Sequence, residues 1–577
     1  MGGVCSRKRD QQVIEDSIQR DVSTRYSKVG SSKWLPTSFS RAGVDCLPGS
    51  SCPSLMELCI YKIREDMDKY STFSMLPSDI SQQIFNELVY SNFLTDVSLE
   101  TFRDCALHDI CVGEYPGVND SWMKVISSQD SSLFSVDLSG SDVTDSGLAL
   151  LKNCSNLQVL ALNYCDQISE HGLKHISGLS NLTSLSLKKT SAVTAEGMCA
   201  FSCLVNLVKL DLERCSGIHG GFVHLKGLTK LDSLNVRCCK YITDSDMKAL
   251  SGLTNLKELQ ISCSNITDFG VTYLKGMHKL IRLDMEGCPV SAACLDSISA
   301  VVTLAYLNLS RCGLFDDGCD KFAALKNLKW LNLGFNNITD ACLVHLKGST
   351  NLESLNLDSC KIGDEGLANL TGHSLLKSLE LSDTEVGSNG LRHLSGLTNL
   401  ENLNLSFTLV TDGGLKKLSS LSSLKSLNLD TWKITDTGLA VLTSLTRLTH
   451  LDLFGARISD LGTNCLRYFK NLQSLEMCGG GLTDAGVKNI KDLSSLTLLN
   501  LSQNCSLTDK TLELVSGLTA LVSLNVSNSR ITNDGLCHLK PLKNLCLLSL
   551  ESCKVTASEI EKLKSAFLPN LQSFRPE

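Results

Sequence analysis

The chain has 577 residues, a formal charge of −7, a pI near 5.9, 5% aromatics, 9 Pro and 26 Cys. That charge offers no basic footprint for nucleic acid, no apolar run is long enough to span a membrane, and no apolar leader marks the N-terminus for export. Length alone suggests about four domains, but a Leu-dominated, Pro-poor composition fits a repeating array better than a string of enzyme domains.

The first nine residues read MGGVCSRKR. Gly2 followed by Ser6 fits the N-myristoylation pattern, and Cys5 offers a thiol for a second acyl chain. One myristoyl chain holds a bilayer only marginally, and Cys5 with Arg7, Lys8 and Arg9 supplies the second signal that stable attachment requires. The expectation is a cytoplasmic chain, tethered to the cytosolic face of the plasma membrane, with its thiols kept reduced. The remainder of residues 1–53 is polar, Ser-rich and aperiodic, and reads as a flexible tether.

Residues 54–106 read as a helical segment ahead of the repeats. LPSDISQQIFNEL (76–88) places Ile80, Ile84 and Leu88 on one helical face, and LTDVSL (94–99) has the form of a repeat's helical half. LHDICV (107–112) then reads as a strand, 26 residues before Leu133. An amphipathic helix at 76–88 would cover the first apolar layer of a stack, which a solenoid needs.

From Leu133 the pattern L-x-x-L-x-L starts 18 times, at 133, 157, 182, 207, 231, 256, 280, 304, 328, 352, 376, 400, 424, 448, 472, 496, 521 and 545, always 24 or 25 residues apart. We number these units one to eighteen, with a degenerate repeat before them at 107. The first half of each, as in LKWLNL (328–333), alternates Leu as a strand does. The second, as in ITDTGLAVLTSL (434–445), opens on an N-cap residue and continues with helical spacing. One unit cannot bury its own apolar face, and stacking closes the core. The spacing predicts an α/β solenoid over 107–577: a leucine-rich-repeat horseshoe with a concave parallel sheet and convex helices.

The ninth position is Cys at 165, 215, 239, 288, 312, 360 and 553, and Asn at 336. One Cys per repeat lacks zinc-ligand spacing, so these read as small buried side chains with a weak donor, and no metal or other cofactor is expected. His345, His393 and His538 recur in the helical half and form no catalytic set, so the chain is not expected to be an enzyme. The third, fifth, seventh and eighth positions face the concave side. They mix Lys188, Lys189, Lys209, Arg214, Arg237, Arg282 and Arg311 with acids from unit three to unit eight, then hold no Lys or Arg from unit nine onward. Tyr306, Trp330 and Phe335 gather at the junction, with Phe407 and Phe454 beyond. A partner segment is expected across units eight to fourteen, apolar on the aromatics and basic toward Asp430 and Asp452. Asn recurs at the fifth position and reads first as a hydrogen-bonded ladder.

Units ending in TDxGL or a relative of it, with the ninth-position Cys, resemble the cysteine-containing leucine-rich repeats of plant F-box/LRR-repeat proteins and their RNI-like relatives, over residues 107–577. Leu76 and Pro77, followed by Ile80, Ile84, Phe85 and Leu88, match the start of that family's F-box. The resemblance implies that these six residues dock a Skp-type adaptor and its cullin complex, with an unidentified protein substrate on the concave face. The family's F-box continues through two further helices, however. Only 31 residues separate Leu76 from Leu107, too few for three helices of about 11 residues with connections. Two readings therefore stand: substrate receptor of an SCF-type ubiquitin ligase, or membrane-tethered scaffold or signalling partner in which the segment only caps the array.

Overall fold

Leu at the first, fourth and sixth positions of a unit turns to one side, and Leu328, Leu331 and Leu333 show the result: all three are fully buried. The computed structural model describes residues 54–575, so Gly2, Cys5 and the tether 1–53 lie outside the described residues. Twenty three-residue strands, from Asp109–Cys111 to Ser573–Arg575, form one parallel sheet in which each strand pairs with those of the adjoining units. The register advances one unit at a time, which sets Trp330 between Tyr306 and Ser354. The leucine-rich-repeat horseshoe is therefore present. It gains a last strand that the Leu pattern does not show, because Phe574 replaces the fourth-position Leu.

Parallel neighbours require a crossover, and a 24-residue unit leaves chain for only a few helical residues. The convex side accordingly alternates short α-helices such as Asp436–Val441 with 3₁₀ segments such as Gly462–Tyr468. Their shared TDxGL motif is an inter-unit lock. Thr435 donates its N–H to Asp412 Oδ1 at 2.9 Å and its hydroxyl to Asp412 Oδ2 at 2.5 Å, and Asp412 belongs to the preceding unit. Ser459 treats Asp436 the same way, as Thr483 does Asp460. The glycine makes room: a Cβ on Gly438 would overlap Asp412 Oδ1, and one on Gly462 would overlap Asp436 Oδ1.

The ninth-position thiols sit where expected. Cys239 donates to Leu212 O at 3.2 Å and Cys360 to Leu333 O at 3.2 Å, each reaching a carbonyl of the unit before. Asn336 makes the same link, to Leu309 O at 2.9 Å. Burial pushes the thiols up, Cys215 to about 11 and Cys239 to about 12, with Cys215 adding to the rise at Cys239.

Among the described residues three α-helices precede the first strand: α1 (Leu55–Glu65), α2 (Ser78–Tyr90) and α3 (Asp96–Glu100). Ser54 and Glu57 cap α1 reciprocally, and Arg64 joins it to Glu87 of α2 at 2.7 Å. Phe85 meets Phe102 edge-on with ring centres 5.4 Å apart, and Ile84 and Leu88 are buried in the same core. Gln82 imitates a neighbouring strand. Its Oε1 accepts from His108 N at 2.9 Å and Asp109 N at 3.1 Å, and its Nε2 donates to Asp109 O at 2.6 Å. This closes an edge that would otherwise recruit another strand. The segment is thus the cap of the array. Of the six residues expected to face an adaptor, Ile84, Phe85 and Leu88 instead point into the core, because the apolar face of α2 covers the first layer. Ile80 is half-buried on that core, and Leu76 and Pro77 remain exposed.

Candidate partner-binding face

The concave floor is built by two repeated backbone devices. Fifth-position Asn332, Asn356, Asn404 and Asn428 each accept the N–H of their own seventh residue, at 2.8–3.0 Å, bonds within a unit. The eighth residue then adopts a positive φ in every unit but the thirteenth, as at Arg311 (57°), Phe335 (57°) and Phe407 (56°). Non-glycine residues adopt this conformation at a cost. Up to unit seventeen each is held by its N–H donating to the seventh carbonyl of the next unit, for example Phe335 N to Asp358 O at 2.7 Å.

On this floor the aromatics form two stacks. Arg282 lies 3.6 Å from the centre of the Tyr306 ring, and Tyr306 lies parallel to Trp330, centres 4.0 Å apart and 5° between planes. Beside them Arg311 lies 3.8 Å from the centre of Phe335. In unit ten the matching positions hold Ser354 and Ser359. Each stack therefore ends on a ring flanked by a small side chain.

Electrostatics change at the same boundary. Toward the N-terminus charges are paired: Lys188 lies 3.1 Å from Asp211 and 3.3 Å from Glu213, and Arg311 lies 3.8 Å from Glu286. Beyond it, Asp358, Glu380, Asp383, Asp430, Asp452 and Glu476 make no ion pair among the described residues. Burial, then the neighbouring Asp358, pushes Glu380 up to about 7. Burial, with Glu476 and Asp430 adding to it, pushes Asp452 to about 6, although Asp452 also accepts Phe454 N–H at 2.9 Å. Asp430 rises for the same reasons, burial and then Glu476. This half of the face holds carboxylates close together without the cations that would settle them.

Unit thirteen breaks the pattern. Its ninth residue is Trp432, far too large for the slot that Cys or Asn fills elsewhere. Thr431 is buried instead, Trp432 stands 64% exposed, and Arg457 donates to its carbonyl at 2.9 Å. Thr431 leaves the positive-φ region, which suits a β-branched residue badly, and does not make the N–H bond to the next unit. Phe407, 60% exposed, and Leu409 stand exposed in the preceding unit, within the acidic stretch.

The structure thus sets Tyr306, Trp330 and Phe335 in contact-distance stacks at one end and Phe407, Asp430, Asp452 and the half-buried Phe454 further along the same face. Sequence reasoning missed Trp432, although an oversized residue at an otherwise small ninth position is a legible signal. It also missed Ser354 and Ser359, whose smallness matters only beside the rings. Among the described residues no group of three or more His, Cys, Asp or Glu side chains converges to hold a metal ion, and no helix is long and apolar enough to cross a membrane.

The family model for the leucine rich repeat matches residues 229–290 and 302–362. No curated protein sequence matches the chain. Among solved structures, an internalin (InlF) from Listeria monocytogenes is 25% identical, with 66% of this chain and 88% of that one covered and a TM-score of 0.38. A leucine-rich-repeat protein of Leptospira interrogans is 21% identical over 71% of this chain and 95% of its own, TM-score 0.44. The plant peptide hormone receptor RGFR1, solved in complex with RGF2, is 14% identical over 84% of each chain, TM-score 0.42. The 20-stranded parallel sheet with its one-unit register, within which the leucine rich repeat model matches, gives the chain a leucine-rich-repeat solenoid fold.

Proposed function

We propose that the chain is a protein-interaction module whose concave face, across units eight to fourteen, grips an extended partner segment carrying arginine. The observation that carries this is the Tyr306–Trp330 stack, which ends on Trp330 next to Ser354, with the acidic positions Asp358, Glu380 and Asp383 following on the same sheet in the next two units. A guanidinium suits it on both counts, since it stacks on aromatic rings and forks onto carboxylates. Arg282 on Tyr306 already uses the first of these contacts within the chain. A second basic residue of the partner then falls toward Asp430 and Asp452, with apolar groups on Phe407 and Trp432. A displayed random-peptide library panned on the full chain tests this. The expected winners carry Arg among apolar residues, and Trp330→Ala weakens them about thirtyfold, as loss of an interface anchor worth about 2 kcal/mol does. Winners without basic residues, or indifferent to Trp330→Ala, would overturn the reading.

A ligase-receptor role is a second reading. It is supported by the resemblance of residues 76–88 to an F-box start and by Met75, Tyr90, Phe93 and Val97, apolar residues left exposed on and around α2. Capture of a Skp-type adaptor by the wild type, lost in Met75→Asp with Leu76→Asp, would support it. Ile84 and Phe85 make poor controls because they hold the cap together. Attachment to a membrane through Gly2 and Cys5 belongs equally to either role, and alkyne-myristate labelling that disappears in Gly2→Ala is its expected signature.

A further inference from the structure

Along the concave rim, the eighth positions of units three to eight read Lys189, Arg214, Cys238, Cys263, Gly287 and Arg311. Cys238 and Cys263 occupy the same turn, with φ of 59° and 57°, on strands paired Asn235↔Gln260. Adjacent strands stand about 4.8 Å apart, inside the roughly 4.4–6.8 Å between Cα atoms that a disulfide spans. Both thiols are half-exposed. A Cβ on Gly287 would come within 3.4 Å of Cys263 Sγ, so the bare glycine leaves that flank of the sulfur uncovered.

Other thiol neighbours differ in kind. Cys215 with Cys239, and Cys288 with Cys312, are buried, and every one of these S–H groups donates to a carbonyl of the preceding unit. Cys319 and Cys342 are buried on the convex side. At the rim pair, the neighbouring Cys263 thiol, with Arg237 and Arg214, draws Cys238 below the usual thiol range against burial and Glu213. Cys238 in turn, with burial and Glu286, pushes Cys263 up. A thiolate beside a protonated partner thiol is the arrangement in which a sulfur is oxidised and then resolved.

We propose that Cys238 and Cys263 form a redox modification site on the concave face, a dithiol that hydrogen peroxide converts to an inter-unit disulfide and that thiols restore. Cys238 Sγ attacks one peroxide oxygen, the O–O bond breaks, and the departing hydroxide takes a proton to become water. Cys263 Sγ then attacks the sulfenic sulfur of Cys238, the S–O bond breaks, and the Cys263 proton leaves with the hydroxide as a second water. Two thiols are oxidised, one peroxide is reduced, and the charge between Arg214 and Arg311 changes. The site is independent of what the acidic half binds.

The test treats the folded full chain with limiting hydrogen peroxide, alkylates the remaining thiols and maps tryptic peptides by mass spectrometry. The expected product links residues 238–240 to residues 258–275, lighter by two hydrogen atoms, and dithiothreitol reverses it. Cys238→Ser should abolish the link although Cys239 remains in the same peptide, and Cys263→Ser should leave Cys238 as a dimedone-reactive sulfenic acid. Exposed Cys59, Cys203, Cys505 and Cys537 serve as internal comparators. If they are oxidised ahead of Cys238, or if the link appears only in urea, the proposal is wrong.

Discussion

Glu380 carries the sharpest consequence at the scale of a single side chain. Its carboxyl is held near 7 in the fold against an ordinary 4.5, so the folded chain favours the protonated form. The stability this confers is fully present below the ordinary carboxylate range and is lost as pH rises through 7, a swing of about 1–3 kcal/mol. Glu380→Gln should therefore raise the melting temperature at pH 8 and leave it nearly unchanged at pH 4, which thermal melts at the two pH values will show. Binding runs the other way: a cationic partner needs Glu380 and Asp452 ionised, so its affinity should climb between pH 5.5 and 7.5, and Glu380→Gln should flatten that rise in a titration series. The positions of these acids were legible from the period alone. Their lack of cations was half legible, from the missing Lys and Arg after unit eight. Their raised proton affinity was not, because it depends on how deeply the curved sheet buries the fifth position.

Among the repeated elements, strands and convex turns owe their reading to different physics. The strand half is governed by burial, which writes itself as Leu at fixed spacing, and the ninth-position Cys and Asn follow from the same slot. The TDxGL half reads locally as a helix cap and is one, but the carboxylate's partner lies in the next unit, about one period away, and single-unit reasoning does not reach it. The lock predicts that Gly462→Ala, which drives a methyl against Asp436, costs about 1–3 kcal/mol, the range for overpacking. Gly227→Ala, with nothing within 4 Å of the added carbon, should cost almost nothing. Chemical denaturation of the two variants separates them. The cap shows a similar division. Its amphipathic face was legible, but the use of Gln82 as a stand-in strand was not. Gln82→Ala should speed amide exchange at His108 and Asp109, whose N–H groups it now covers.

The whole molecule is a chain of nearest-neighbour interfaces, so its stability is a sum along one dimension and its weakest joint can be located. Seventeen eighth-position amides, from Glu114 to Ser359 and on to Asn528, bond to the next unit, and Thr431 does not. Amides around residues 429–433 should accordingly exchange faster than those of other interior units. Thr431→Gly with Trp432→Asn, which combines the eighth-position Gly of unit seven with the ninth-position Asn of unit nine, should slow them. A horseshoe of this kind behaves as a C-shaped spring, and a spring yields where its cross-section is thinnest. If the partner lies across units eight to fourteen, it lies over that joint and acts as a splint: the molecule opens and closes about Thr431 when empty and stiffens when occupied, so the distance between its two tips reports occupancy.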